Sequence, residues 1–233
     1  MNYEIIPAIM PEKFEDIESW VATIRHEVQT VQLDIMDGKY VPEKTWPFMY
    51  DSDYRLRDMK KEDAGFPFWE DINYELDLMV QRPEERLEDW FATGASRIIF
   101  HFGSVHDWNK IYDIDPVMRD FVEVFLAVTI HDDFEEVQRV LSLGSFDGIQ
   151  VMGIEQIGYQ GEPFTPLALD AILRVKESFP GMVIAVDGAV NRETIQDLQD
   201  AGANHFIAGS AIFEQGIASE NIEYLYSLLK NDA

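Results

Sequence analysis

The feature that most constrains this chain is an alternation of short apolar runs with longer stretches of helical period, repeated eight times. Glu4–Met10, Thr30–Ile35, Ile72–Val80 and Arg97–Phe102 read as strands in the first half. Val124–Ile130, Gly148–Met152, Met182–Val186 and His205–Ala208 follow in the second. Between them, Pro11–Val28 sets Phe14, Ile17, Trp20, Val21 and Ile24 on one helical face. A helix from Pro83 turns Leu87, Trp90 and Phe91 inward, and Gly94 closes it. Asp132 is the expected cap of a helix to Leu143; Thr165–Phe179, Arg192–Ala201 and Ile217–Leu229 are further helices, with a looser one around Trp108–Phe121. Eight strand-then-helix units in 233 residues predict a closed (β/α)8 TIM barrel, one domain spanning residues 1–233.

Residues 39–70 exceed an ordinary strand-to-helix connection and carry turn and charge signals at Asp51, Ser52, Asp53, Lys60, Lys61, Glu62 and Asp63. They are expected to form a long loop on the active-site side together with the second helix. A short echo supports the barrel: Gly94-Ala95 and Gly202-Ala203 each stand between a helix end and an apolar strand.

Composition narrows the function. Without cysteine there are no disulfides, thiolate metal sites or cysteine nucleophiles. No apolar run reaches membrane-spanning length and the first residues lack a basic leader region, so the expectation is a soluble, cytoplasmic protein. A formal charge of −26 repels nucleic-acid phosphates and anionic membranes, leaving a small molecule as the expected partner. The acidity reads as a solubilising surface, with adaptation to high salt as the open alternative. An anionic substrate must then be held by local dipoles.

In such a barrel the reactive groups lie at the C-terminal ends of the strands. Those ends carry Ala8, the run Gln32-Leu33-Asp34-Ile35-Met36-Asp37-Gly38, Asp77-Leu78-Met79, Met152, Asp187-Gly188-Ala189 and Ala208-Gly209-Ser210. Two-residue alternation sets Gln32, Asp34 and Met36 on one face of their strand, and Asp77 and Met79 on one face of theirs.

This set resembles the ribulose-phosphate 3-epimerase family over most of the chain. The resemblance rests on Ile6–Met10, Asp34–Gly38 with Tyr40-Val41-Pro42, Leu78-Met79-Val80 with Pro83-Glu84, Phe100-His101, Val151-Met152, Val186-Asp187-Gly188 and Ala208–Phe213. It implies a ribulose-phosphate-binding barrel and metal-assisted epimerisation at C3 of a ketose phosphate such as ribulose 5-phosphate. Asp34 and Asp187 match the acid and base; a two-sided proton transfer needs one carboxylate on each face of the carbon. Met36, Met79, Met152 and Ala8 match positions lining the substrate. Gly158, Gly161, Gly188, Ala189, Gly209 and Ser210 match the phosphate site, where backbone N–H groups and a short helix N-terminus serve in place of lysine or arginine. Relatives assemble as dimers or larger rings, so a homo-oligomer is consistent with the resemblance.

The chain departs from the family at the metal. Gln32 and Asp77 stand where the family has histidines, and Glu155-Gln156-Ile157 replaces the usual Asn-Pro stretch of the loop at 158–161. The four residues at the ligand positions are Gln32, Asp34, Asp77 and Asp187. Three converging carboxylates require a cation or a bound proton. An oxygen-rich site holding Mg²⁺ or Mn²⁺ in preference to Zn²⁺ is the favoured resolution. The other is a non-catalytic or repurposed barrel that binds a phosphorylated ligand without metal. His101 is expected to be a hydrogen-bonded structural residue.

Overall fold

Short β-rich runs buried on both sides pair in parallel and close on themselves in a computed structural model, which describes residues 3–230 apart from 51–54, 62, 63, 145 and 160. The strands are β1 (Glu4–Ile9), β2 (Thr30–Met36), β3 (Asn73–Met79), β4 (Arg97–His101), β5 (Glu123–Val128), β6 (Gly148–Met152), β7 (Val183–Asp187) and β8 (His205–Ala208). They follow chain order around the barrel, and β8 pairs with β1 through Glu4 and His205. The helices are α1 (Phe14–Val21), α2 (Arg55–Met59), α3 (Leu87–Phe91), α4 (Trp108–Tyr112), α5 (Pro116–Arg119), α6 (Phe134–Leu143), α7 (Leu167–Ser178), α8 (Ile195–Ala201), α9 (Ser210–Phe213) and α10 (Ala218–Leu228). The turn signals at Asp51, Ser52, Asp53, Glu62 and Asp63, and Gln160 of the loop, lie outside the described residues. Among the described residues no helix is long and apolar enough to cross a membrane.

Alternation along the strands builds two separate cores. Ile5 and Ile9 of β1, Ile98 and Phe100 of β4, and Val124, Leu126 and Val128 of β5 face the helices. Their neighbours Ile6, Ala8, Ile99, Phe125 and Ala127 fill the barrel with Ala185 and Ile207. The N-terminal end of the barrel is closed by charge. Arg97 on β4 lies in register between Glu75 on β3 and Glu123 on β5, and its guanidinium binds both carboxylates while covering the Phe125 ring at 4.4 Å.

Three local differences from the sequence expectation have physical causes. The first helix ends at Val21, although Ile24 and Val28 remain buried, because residues 23–27 include the i→i−3 bonds Thr23 N–Trp20 O and Ile24 N–Val21 O. The segment after β4 divides into α4 and α5, where Asp115 caps a fresh turn that begins with Pro116. The cap of α6 is Asp133, which accepts from Glu135 N at 2.9 Å; Asp132 instead accepts from Thr129 N and Oγ1.

After β2 the chain folds back, so that Thr45 N bonds the Met36 carbonyl. Asp37 pairs with Lys44 in a bridge, and the Asp37 carboxylate accepts from Lys39 N, Tyr40 N and Gln81 N at 2.9–3.1 Å. Trp46 is buried edge-on against Phe14 and Phe66. Asp37 is thus the organiser of its loop.

Candidate active site

The pleat of β2 sends Gln32, Asp34 and Met36 into the barrel, and register sets Asp34 against Asp77 and Met36 against Met79. On the far side, Asp187 ends β7 in register with Met152 of β6. Oxygens of Asp34, Asp77 and Asp187 lie within 4.8 Å of one another. Thr45 holds the β2 end in place: its hydroxyl donates to the Asp34 carbonyl at 2.5 Å and accepts from Met36 N at 2.9 Å. No strand signal marks Thr45 in the sequence; its role depends on the loop folding back.

Gln32 is fully buried, and its Nε2 donates to Asp34 Oδ1 and to Asp187 Oδ2, each at 2.9 Å. Asp77 is also fully buried; its Oδ1 lies 2.7 Å from His101 Nε2, and its Oδ2 accepts from Gln150 Nε2 at 3.3 Å. Gln150, two residues before Met152 in an otherwise apolar strand, was legible as an inward polar group by the same alternation as Gln32. His101 is hydrogen-bonded as expected, with the added finding that its partner is the β3 carboxylate. The Tyr40 ring sits 5.6 Å from the His101 ring.

The electrostatics follow from burial. Burial raises the Asp34 carboxyl well above its usual range, and the charges of Asp187 and Asp77 raise it further. Burial and Asp77 push Asp187 up to about 7, against the pull of Gln32, His101 and the Gly188 N–H. Burial disfavours a charged His101 ring, yet the adjoining Asp77 carboxylate outweighs it and leaves this histidine raised. Among the described residues, Gln32 Oε1, Gln150 Oε1 and His101 Nδ1 are buried without a hydrogen-bond partner. Leaving such an atom unpaired costs about 1–3 kcal/mol. Three carboxylates with oxygens this close are a hard, all-oxygen donor set, and they fit a divalent cation.

Above the aspartates opens a cavity lined by Asp34 and Asp187, by Ala8, Met79 and Met152, and by Gly158, Gly161, Gly188, Ala189, Gly209 and Ser210. Asp77 and Gln32 lie beneath its surface, and Met36 packs behind Met79 and Val41. Sequence reasoning missed Met10, Ile154, Tyr159, Glu162, Val190 and Ile207 on the walls. Among the described residues lining it there is no lysine or arginine. The rim contains left-handed backbone: Gly188 has φ +95°, where a Cβ would approach Ile154 to 2.8 Å, and Ala189 has φ +55°. Ala189 is fixed there because its carbonyl accepts from Thr194 Oγ1 at 2.7 Å and Asn191 Nδ2 at 3.0 Å.

Comparison with known proteins matches residues 4–213 to the model of the ribulose-phosphate 3 epimerase family. The chain belongs to that family. The ribulose-phosphate 3-epimerase of Eremothecium gossypii is 24% identical over 232 residues, covering 98% of this chain and 93% of the relative. That of Escherichia coli is 27% identical, covering 92% and 90%. Among solved structures, KGPDC from Streptococcus mutans superposes with a TM-score of 0.69 at 11% identity, covering 98% and 97%. A 3-hexulose-6-phosphate synthase gives 0.67 at 19%, covering 97% and 100%. These two establish the barrel fold alone. As a ribulose-phosphate 3 epimerase family member, the chain is an enzyme of the epimerase class.

Proposed function

We propose that this enzyme epimerises a ketose phosphate, ribulose 5-phosphate or a close relative, at C3, with Asp34 and Asp187 as interchangeable acid and base. The observation that carries this reading is that carboxylates from β2 and β7, on separate walls of the barrel, line one cavity. General acid–base transfer at one carbon needs a carboxyl on each face, one ionised and one holding a proton. The ionised member takes the C3 proton from one face; the protonated member gives its proton to the opposite face. In the reverse direction the two exchange roles.

Asp34, Asp77, Asp187 and Gln32 Oε1 are the residues that would hold a divalent cation, Mg²⁺ or Mn²⁺ in preference to Zn²⁺ because every donor is oxygen. When bound, such a cation stabilises negative charge on the carbonyl and hydroxyl oxygens next to the reacting carbon. Ala8, Met79 and Met152, backed by Met36, form an apolar wall that excludes water from a flat intermediate. Gly158, Gly161, Gly188, Ala189, Gly209 and Ser210 form the phosphate end, where backbone N–H groups replace the absent cationic side chains. The Gly188 N–H also steadies Asp187.

The test is C3 deuterium exchange from a panel of ketose phosphates in D₂O with Mg²⁺, Mn²⁺ or Zn²⁺. Exchange with epimerisation, best with Mg²⁺ or Mn²⁺, is the expected result. One observation favours a second reading, a barrel that binds a phosphorylated ligand without metal: Gln32 Nε2 already ties Asp34 to Asp187. That reading predicts no Mn²⁺ binding by calorimetry and no exchange from any sugar.

A further inference from the structure

A side-chain amide nitrogen carries two hydrogens, and Gln32 gives one to each of two carboxylates. The acceptors stand on β2 and β7, which the closed sheet separates by β1 and β8, so a single nitrogen joins two walls of the barrel. Both bonds are 2.9 Å long, and the side chain that makes them is fully buried. An amide does not titrate. It can donate to a carboxylate, where the bond is stronger, and also to the carbonyl oxygen of a protonated carboxyl, so the tie persists whichever acceptor holds the proton. Epimerisation in both directions has that requirement, because the acid of one direction is the base of the other.

We infer that Gln32 is the positioning residue of the acid–base pair, fixing Asp34 and Asp187 at once from one neutral donor. This deepens the function proposed above and rests on its assignment of Asp34 and Asp187. It is distinct from ligation of a cation, which would use Oε1, the other end of the same amide. Misplacing reacting groups by about 1 Å costs on the order of 100-fold in rate, and that is the size of effect expected when the donor is lost.

Gln32→Glu and Gln32→Met separate the two roles. The glutamate keeps length and volume and is a better ligand for a hard cation, but it loses the donor; the methionine loses donor and ligand together. Each variant is measured for kcat and KM on ribulose 5-phosphate at saturating Mn²⁺, for Mn²⁺ affinity by calorimetry, and for thermal midpoint. For Gln32→Glu the expected result is Mn²⁺ binding at least as tight as wild type, with kcat lowered about 100-fold and KM little changed, the pattern of a lost transition-state contribution. Wild-type kcat in Gln32→Glu, or in Gln32→Met once Mn²⁺ saturates, overturns the inference. If Asp34→Asn and Asp187→Asn retain C3 exchange, the assignment of the pair itself fails, whatever the Gln32 variants do.

Discussion

Asp77 and His101 stand 2.7 Å apart, carboxylate oxygen to ring nitrogen, with neither side chain reaching solvent. The family resemblance implies a histidine on β3 at the position of Asp77; here that position is an aspartate paired with the His101 imidazole of the next strand. A buried carboxylate stripped of its partner is expensive, about 3–5 kcal/mol. His101→Phe should therefore lower unfolding free energy by about that much, while the double variant with Asp77→Asn loses clearly less than the sum of the single changes. Denaturant unfolding of the four proteins measures the coupling. Additivity within about 0.5 kcal/mol would contradict the pairing.

Asp77→His replaces a hard oxygen donor with imidazole. Calorimetry should show the order of metal affinity moving toward Zn²⁺, with catalytic activity retained. An unchanged order would remove Asp77 from the ligand set.

Asp187, pushed up to about 7 by burial and then by Asp77, has a usual value of 3.8. The folded chain thus keeps a proton that the unfolded chain releases. The sign is that stability falls as pH rises from roughly 4 to 7, and the deficit is complete above that range. A cation favours the ionised form. Adding Mn²⁺ should raise the thermal midpoint more at about pH 8 than at about pH 5. An equal gain at both pH values would contradict cation binding at this carboxylate.

The fold was legible because each apolar run is followed by a segment of different period, and both signals are local. The first helix reads too long because Ile24 and Val28 keep the apolar spacing after the bonding has tightened. At the site, alternation and strand ends placed Asp34, Asp77, Asp187 and Gln32 at the mouth of the barrel, and the family resemblance singled them out. They were not enough to find the partnership of Asp77 with His101 and Gln150, because that depends on which strands face each other across the interior. Thr45 was invisible for a related reason: it reaches Asp34 and Met36 only after the loop has folded back over β2.

At the opposite end of the barrel, Arg97 neutralises Glu75, which burial nevertheless pushes up to about 7. Arg97→Met leaves that carboxyl buried without its partner and should cost about 3–5 kcal/mol of stability. Arg97 does not line the cavity, but the Glu75 charge acts on Asp34, so KM and kcat of the folded variant are read alongside stability. A change in either would show that the two ends are coupled.

The pairing of Asp34 with Asp187 as acid and base is read out by deuterium wash-in at C3 of ribulose 5-phosphate, comparing the wild type with Asp34→Asn and Asp187→Asn in the presence of Mn²⁺. With both variants folded, rapid exchange by the wild type and none by either variant is expected. Full exchange by either asparagine variant would contradict it.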